Sequence, residues 1–148
     1  MKASEIQIGD WLYYKGQFNA FHFKVESITK KKVGYHAEPN EHRMYYLRLS
    51  ECKPIPLTPE ILEKNGFEKT QIHGEKQDDI FQCFDGEIII EVGIYDPNFI
   101  LIHYRYETPD GINSGELSSI VKVDGGKFYL HELQHALRLC GIKKNIEL

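Results

Sequence analysis

Two histidines and one glutamate near the end of the chain have the spacing of a zinc-binding motif. His131, Glu132 and His135 stand as His-Glu-x-x-His in a segment with helical period. Residues four apart on a helix lie about one turn from each other on the same side, so both imidazoles can reach one Zn²⁺. Glu132 would then act as general base on a metal-bound water. The first hypothesis is therefore a zinc-dependent hydrolase, with zinc as its cofactor.

Over these five residues the chain resembles the active-site helix of the zincin metalloproteases, but the rest of that pattern is missing. The extended zincin form implies a third histidine where this chain has Gly141, and the other common form implies a glutamate from a further helix, whereas only Glu147 follows. His103 upstream stays open as a ligand, and Cys140 would complete a three-ligand set. We interpret the match as a coincidence and keep zinc hydrolysis as an alternative.

The helical period of this segment separates an apolar face from a polar one. At 100° per residue the uncharged side chains share one arc, which must pack on the rest of the protein: Tyr129, Leu130, Leu133, Ala136, Leu137 and Cys140. Four polar side chains fall nearly opposite, namely His131, Gln134, His135 and Arg138. Arg138 also places a positive charge one turn beyond His135, which would repel a bound dication. The sequence predicts that both histidines lie on a solvated face and that Cys140 is buried.

Length, charge and cysteine content set the class of the chain. Its 148 residues suffice for one domain or two very small ones. The net charge of -4 gives no general reason to expect nucleic acid. No signal peptide and no membrane span are recognised. The three cysteines are odd in number and widely spaced, so we predict reduced thiols in a cytoplasmic protein.

The first 56 residues have the short strands and frequent turns of a small antiparallel barrel. Residues 11–14, 21–28, 33–37 and 43–49 are predicted to be successive strands, and Phe21, Phe23 and Val25 share one face of the second. A lysine-rich turn, residues 30–32, separates the second strand from the third. Four or five strands at this spacing predict an SH3-like β-barrel over residues 1–56.

This segment also supports a nucleic-acid hypothesis. Residues 1–56 carry nine Lys or Arg against six Asp or Glu, a net of +3, whereas residues 57–148 carry nine against sixteen, a net of -7. Aromatic side chains interleave with the bases, as a surface for stacking nucleobases requires. The candidate residues are Trp11, Tyr13, Lys30, Lys31 and Lys32. A barrel this small also needs aromatic residues for its core, so this hypothesis is a second alternative.

A second domain is predicted over residues 57–148. Thr58 as N-cap and Pro59 in the first helical position predict a short helix to about Lys64, ended by a left-handed Gly66. Asp85-Gly86 predicts a hairpin within an antiparallel sheet. Residues 73–79 and 107–116 are expected to be loops, and turns are expected at 96–98 and 124–126. The predicted fold class is α+β: an SH3-like barrel, then an antiparallel sheet packed against one C-terminal helix.

Three patches of the sequence are similar to small uncharacterised proteins of Bacteroidetes genomes and their mobile elements. The densest patch is 57–67 (LTPEILEKNGF), and the others are 8–11 (IGDW) and 130–134 (LHELQ). The resemblance implies a shared fold and residence on a phage or other mobile element, with no known activity. In that pattern the late helix requires no second metal-binding histidine.

These observations predict a non-catalytic binding or accessory protein of a bacterial cytoplasm. Its expected partner is an unknown protein, with no membrane association. A nucleic acid partner and a homo-oligomer are left open. The two alternatives are the zinc hydrolase of His131, His135 and Glu132, and a nucleic-acid-binding module in the N-terminal barrel.

Overall fold

The computed structural model describes residues 1–72, 75–94, 98–122 and 126–148. The expected α+β class is confirmed, since strands dominate, all their pairings in these ranges are antiparallel, and one main helix lies near the end. No helix of the described ranges is long and apolar enough to cross a membrane. The chain divides into an N-terminal unit, Met1–Ile55 with Tyr129–His131, and a C-terminal unit, Pro56–Phe128 with Glu132–Leu148. The expected domain boundary after residue 56 stays a prediction.

The N-terminal unit contains six short strands. They are β1 (Trp11–Lys15), β2 (Ala20–Lys24), β3 (Ser27–Ile28), β4 (Lys32–Tyr35), β5 (Tyr45–Arg48) and β6 (Cys52–Pro54), with 3₁₀ turns at Ala3–Glu5 and Leu49–Glu51. The strands form two sheets in the orders β2-β1-β6 and β3-β4-β5. Their shared core consists of Ile6, Leu12, Phe23, Val25, Val33, Leu49 and Cys52. The described residues show no closed barrel, so the SH3-like barrel is not confirmed.

A buried aspartate fixes the start of β1. Asp10 is fully buried, and its Oδ2 accepts the Gln7 N–H at 2.7 Å. The Asp10 carbonyl accepts the Val25 N–H at 2.8 Å, which extends the pairing of β1 with β2 beyond the strand ends. Gly9 has φ 90°, a left-handed conformation that glycine adopts without strain. The patch at residues 8–11 therefore has a structural role in this turn.

The C-terminal unit is built on a five-stranded meander, in which each strand pairs with the next along the chain. Its strands are β7 (Glu68–Ile72), β8 (Glu75–Asp85), β9 (Ile88–Gly93), β10 (Asn98–Thr108) and β11 (Gly111–Lys122). The buried side chains of the sheet include Phe81, Cys83, Ile89, Ile90, Val92, Ile100 and Ile102. The predicted hairpin is found, but its two-residue turn is Gly86-Glu87, one residue later than predicted, because Asp85 still pairs with Ile88; Gly86 has φ 62°.

Two stretches expected to be loops are largely strand. Residues 107–116 lie in the hairpin of β10 and β11, and residues 75–79 begin β8. Strand preference depends on pairing with neighbours as much as on residue type, and the long ladder overrides the polar composition here. The Thr108 hydroxyl donates to the Gly111 carbonyl at 3.0 Å and closes the turn. Residues 73–74, 95–97 and 123–125 lie outside the described ranges, and these include most of the turns expected at 96–98 and 124–126.

The short helix α1 (Pro59–Lys64) has the predicted caps. The Thr58 hydroxyl accepts the Ile61 N–H at 3.4 Å, and Gly66 follows the helix at φ 76°. The Asn65 side-chain amide donates to the Glu147 carbonyl at 2.8 Å, while its Oδ1 accepts the Glu147 N–H at 2.8 Å. The patch at residues 57–67, which carries the resemblance, therefore contains α1 with both its caps and binds the backbone of Glu147.

The late helix α2 (Leu130–Leu139) buries the predicted apolar side chains, because Leu130, Leu133, Ala136 and Leu137 are almost fully inaccessible. The predicted solvated face is wrong for two residues. His131 is only 7% exposed and Gln134 only 6%. Cys140 is half-buried, less enclosed than predicted. Because helical period gives the direction of a side chain and not what covers it, two faces of a short helix can be buried.

Candidate functional site

The first histidine of the motif His131-Glu132-x-x-His135 is buried. His131 is buried at the start of α2, where its ring stacks on Tyr129 with 6.0 Å between centroids and 14° between planes. His135, one turn later, is half-buried. A hydrolytic zinc site needs both imidazoles beside a position open to water. His131 is buried and offers little surface to such a water.

The Glu132 carboxylate is held by a lysine. Lys122 Nζ lies 2.6 Å from Glu132 Oε2, and the two side chains are 25% and 29% exposed. Lys122 Nζ also donates to the Lys127 carbonyl at 2.8 Å and lies 4.6 Å from the centre of the Phe128 ring. A general base must accept a proton from a bound water. The ion pair with Lys122 instead gives the Glu132 carboxylate a structural partner.

The other suggested zinc ligands are not brought to the motif. Among the described residues, no group of three His, Cys, Asp or Glu side chains is placed to hold a metal ion. His103 on β10 has its Nε2 3.5 Å from Glu91 Oε2 on β9. Burial raises the pKa of the half-buried Cys140 thiol, which disfavours the thiolate that binds zinc. The zinc hydrolase stays an untested alternative.

A concave site lies in the N-terminal unit. It is a groove of about 790 Å³ lined by Trp11, Phe21, His22, Phe23, Lys24, Glu26, Tyr35, His36, Ala37 and Pro39, and we call it the aromatic groove. Its volume lies in the usual range for small-ligand sites, which are mostly apolar with a few polar groups. Four aromatic side chains and two histidines give this groove that composition.

The pairing of β1 with β2 explains the lining of the aromatic groove. Phe21 and Phe23 project from one face of β2 and His22 from the other, as alternation along a strand requires. Side chains from both faces line one groove only if it runs along the edge of the strand. Since β2 is the outer strand in the sheet order β2-β1-β6, that edge carries no strand partner among the described residues.

Contacts between rings hold the walls of the aromatic groove. The Tyr35 ring centroid lies 5.5 Å from that of Phe21 and 5.1 Å from that of Phe23, within the range of favourable aromatic pairs. Burial is the main cause that raises the pKa of the Tyr35 hydroxyl. His36 Nδ1 donates to the Arg43 carbonyl at 3.1 Å, which orients its ring. The walls are therefore preformed.

A second concavity of the same unit is positively charged. This cationic pocket, of about 460 Å³, is lined by Met1, Lys2, Ala3, Lys30, Lys31, Lys32, Arg48, Leu49 and Ser50. Lys32 on β4 lies opposite Arg48 on β5, so strand pairing brings these two charges together. Lys2 joins them from the segment before the first 3₁₀ turn. The pocket thus carries five basic side chains.

Four of the five residues predicted for nucleic acid line these two sites. Trp11 lines the aromatic groove, and all three lysines line the cationic pocket. Tyr13 lines neither, and its ring lies 5.2 Å from that of His22. The sequence reasoning missed Lys2, Arg48 and Tyr35. The alternation along residues 21–25 could have indicated Phe21 and Phe23, whereas the pairing of Lys32 with Arg48 has no signal in the sequence.

No protein-family model, no curated protein and no solved structure matches this chain.

Proposed function

We propose that this chain is a non-catalytic binding protein whose N-terminal unit holds a ligand in the aromatic groove. The observation that carries the proposal is the preformed groove of about 790 Å³ along the edge of β2. Aromatic side chains bury much apolar area with little loss of conformational entropy, so they suit binding sites. The hydrolase alternative has less support, because Glu132 is engaged by Lys122 and His131 is buried.

We further propose that the N-terminal unit is a strongly bent, SH3-like small barrel. Two features support this. Between β2 and β3 the Glu26 N–H donates to the Gly34 carbonyl at 2.8 Å, so one continuous segment takes part in both sheets. The last strand, β6, returns to pair with the first, β1.

The physiological setting is also a proposal. The resemblance of three patches to proteins of Bacteroidetes genomes and mobile elements supports an accessory role in a bacterial cytoplasm. The free Cys52, Cys83 and Cys140 suit a reducing compartment. An unknown protein partner and a homo-oligomer stay predictions. The edge of β2, which pairs with no strand among the described residues, favours a protein partner as the second candidate ligand, since an extended peptide can add a strand there.

Trp11 provides a direct test of the proposed function. It is the single tryptophan of the chain and it lines the aromatic groove, so its fluorescence reports on an occupant. We would titrate the full chain with oligothymidine, a proline-rich peptide and an acidic extended peptide. At least one probe is expected to change the Trp11 emission. Phe21→Ala should weaken that binding about 5- to 100-fold, the value of one stacking contact.

The matched control is Phe18→Ala, because Phe18 is 92% exposed and lies outside the groove. This variant should bind like the wild type. Since Phe21 also packs against the core, Tyr35→Phe provides a second, milder groove variant, and circular dichroism would verify folding of each protein. Equal binding by wild type and Phe21→Ala would contradict the proposal, as would the absence of any Trp11 response to the whole panel.

A further inference from the structure

The cationic pocket extends the proposed function to a class of ligand. We infer that it binds phosphate groups of a single-stranded nucleic acid whose bases stack in the aromatic groove. This inference rests on the proposed binding role of the groove. Four observations carry it: the charges of the pocket, the rigidity of its lysine turn, its position relative to the groove, and the aromatic side chains that line the groove.

The basic side chains of the cationic pocket have no acidic partner in the part of the chain that the structure describes. None of Lys2, Lys30, Lys31, Lys32 and Arg48 forms a side-chain ion pair with a carboxylate among the described residues. The nearby Glu5 carboxylate is engaged by the backbone N–H of Lys2 at 2.8 Å. Clustered like charges repel one another, so a polyanion is the ligand that would relieve this repulsion.

The lysine turn is held in place by hydrogen bonds. Thr29 Oγ1 accepts the Lys32 N–H at 3.0 Å, and the Thr29 N–H donates to the Lys32 carbonyl at 2.8 Å. The Leu49 N–H donates to the Lys31 carbonyl at 3.0 Å, which joins the turn to the end of β5. A fixed backbone reduces the entropy lost when the lysines bind phosphate.

Strands β4 and β5 connect the cationic pocket to the aromatic groove. Lys32 pairs with Arg48 at one end of this ladder, and Tyr35 pairs with Tyr45 at the other. Three residues of strand span about 10 Å. A stacked nucleic acid strand advances about 3.4 Å per nucleotide, so this distance corresponds to roughly three nucleotides. A short oligonucleotide can therefore reach both sites of this unit.

The combination of sites favours a single strand over a duplex or a peptide. Duplex bases stack on each other and leave their faces unavailable, whereas single-stranded bases can stack on aromatic side chains. The groove offers Trp11, Phe21 and Tyr35 for that purpose. An acidic peptide would satisfy the lysines but has no regular succession of aromatic rings to fill the groove. Both competitors become outcomes of the test.

The test uses a fluorescein-labelled 12-nucleotide oligothymidine and the full chain. Anisotropy of the label reports binding anywhere on the protein, and Trp11 quenching reports a base in the aromatic groove. The key variant is the triple substitution Lys30→Ala, Lys31→Ala, Lys32→Ala. Each phosphate contact to a single strand contributes about 0.7 to the slope of log K against log salt. The triple variant should lose about 2 from this slope and bind on the order of 100-fold more weakly at 0.1 M salt.

The matched control removes the same charge elsewhere. Lys15, Lys127 and Lys143 are exposed and lie outside both sites, so their triple exchange to Ala should leave the salt slope unchanged. The inference would be overturned if the triple variant of Lys30, Lys31 and Lys32 (the pocket variant) and this control bound oligothymidine with equal affinity. Oligothymidine binding without Trp11 quenching, or equal competition by a duplex of the same length, would also overturn it.

The peptide arm separates this inference from the proposed function. If a peptide quenches Trp11 and oligothymidine does not bind, the nucleic acid inference fails and the binding role of the aromatic groove stands. If no probe quenches Trp11, both fail. If oligothymidine binds, and both Phe21→Ala and the pocket variant weaken it, both are supported.

Discussion

Replacing Glu132 with Gln distinguishes a structural from a catalytic role for the motif. The substitution removes one charge and keeps the size of the side chain. In the structure that charge lies 2.6 Å from Lys122 Nζ, with both side chains about three-quarters buried. Glu132 is also in the first turn of α2, where a negative charge interacts favourably with the helix dipole. A structural role therefore predicts a loss of stability without any metal.

The magnitude follows from exposure. Fully exposed ion pairs contribute about 0.2–1 kcal/mol, and a hydrogen bond to a charged group contributes about 1.5–3 kcal/mol when well buried. For this partly exposed pair we take about 1 kcal/mol, and the helix dipole adds about 0.5 kcal/mol. Glu132→Gln keeps part of the hydrogen bond, so a loss of about 1 to 1.5 kcal/mol is expected. For a chain of this length, that lowers Tm by roughly 2 to 6 °C.

The assay is thermal unfolding in EDTA, with a double-mutant cycle through Lys122→Met. The coupling between the two substitutions should be about 0.5 to 1 kcal/mol. Glu116→Gln is the matched control, because Glu116 is exposed on β11 and its exchange should change stability by less than about 0.5 kcal/mol. The reasoning is refuted if Glu132→Gln and Glu116→Gln have the same Tm and the coupling is zero. A stoichiometric zinc-dependent rise in Tm, lost in His135→Ala, would instead support the metal alternative.

Three further outcomes are expected. Asp10→Ala should lower the free energy of unfolding by about 2 to 4 kcal/mol in urea titrations, since the buried carboxylate accepts a backbone N–H. A loss below about 1 kcal/mol would contradict this. Burial, assisted by Glu51, raises the pKa of the Cys52 thiol to about 11. The Cys52 thiol ionises at lower pH in the unfolded chain, so the free energy of unfolding should fall between about pH 9 and pH 11. Alkylation at pH 8 should modify the half-buried Cys140 before the buried Cys52, and faster labelling of Cys52 would refute the argument. In α2, Leu137→Ala should lower the free energy of unfolding by about 2 to 5 kcal/mol, whereas the same change at the 80% exposed Leu139 should alter it by less than about 0.5 kcal/mol. Similar chemical-denaturation midpoints for the two variants would be inconsistent with the structure.

The sequence was most informative where the signal was local. The caps of α1 depend on neighbouring residues, so Thr58, Pro59 and Gly66 indicated both ends of that helix. The Asp85-Gly86 dipeptide correctly indicated the hairpin, since glycine suits a tight turn, but it placed the turn one residue too early. In α2 the period identified the main buried face.

Features that depend on distant partners were not predictable in the same way. The burial of His131 and Gln134 depends on what surrounds α2, and the period of one helix carries no information on its neighbours. Residues 107–116 are strand because β10 provides a partner along their length. The sequence indicated only the three consecutive lysines of the cationic pocket, since Arg48 joins them through the register of β4 with β5.

The composition of the N-terminal unit has a consequence for the order of events during synthesis. This unit consists of Met1–Ile55 and the late residues Tyr129–His131, and the Leu130 N–H donates to the Ile55 carbonyl at 2.8 Å. At about 5–20 residues per second, a ribosome needs roughly 4 to 15 s to proceed from residue 55 to residue 131. The meander of the C-terminal unit pairs each strand with its predecessor, so it can form progressively in that interval. The first unit to be translated is thus among the last to be completed.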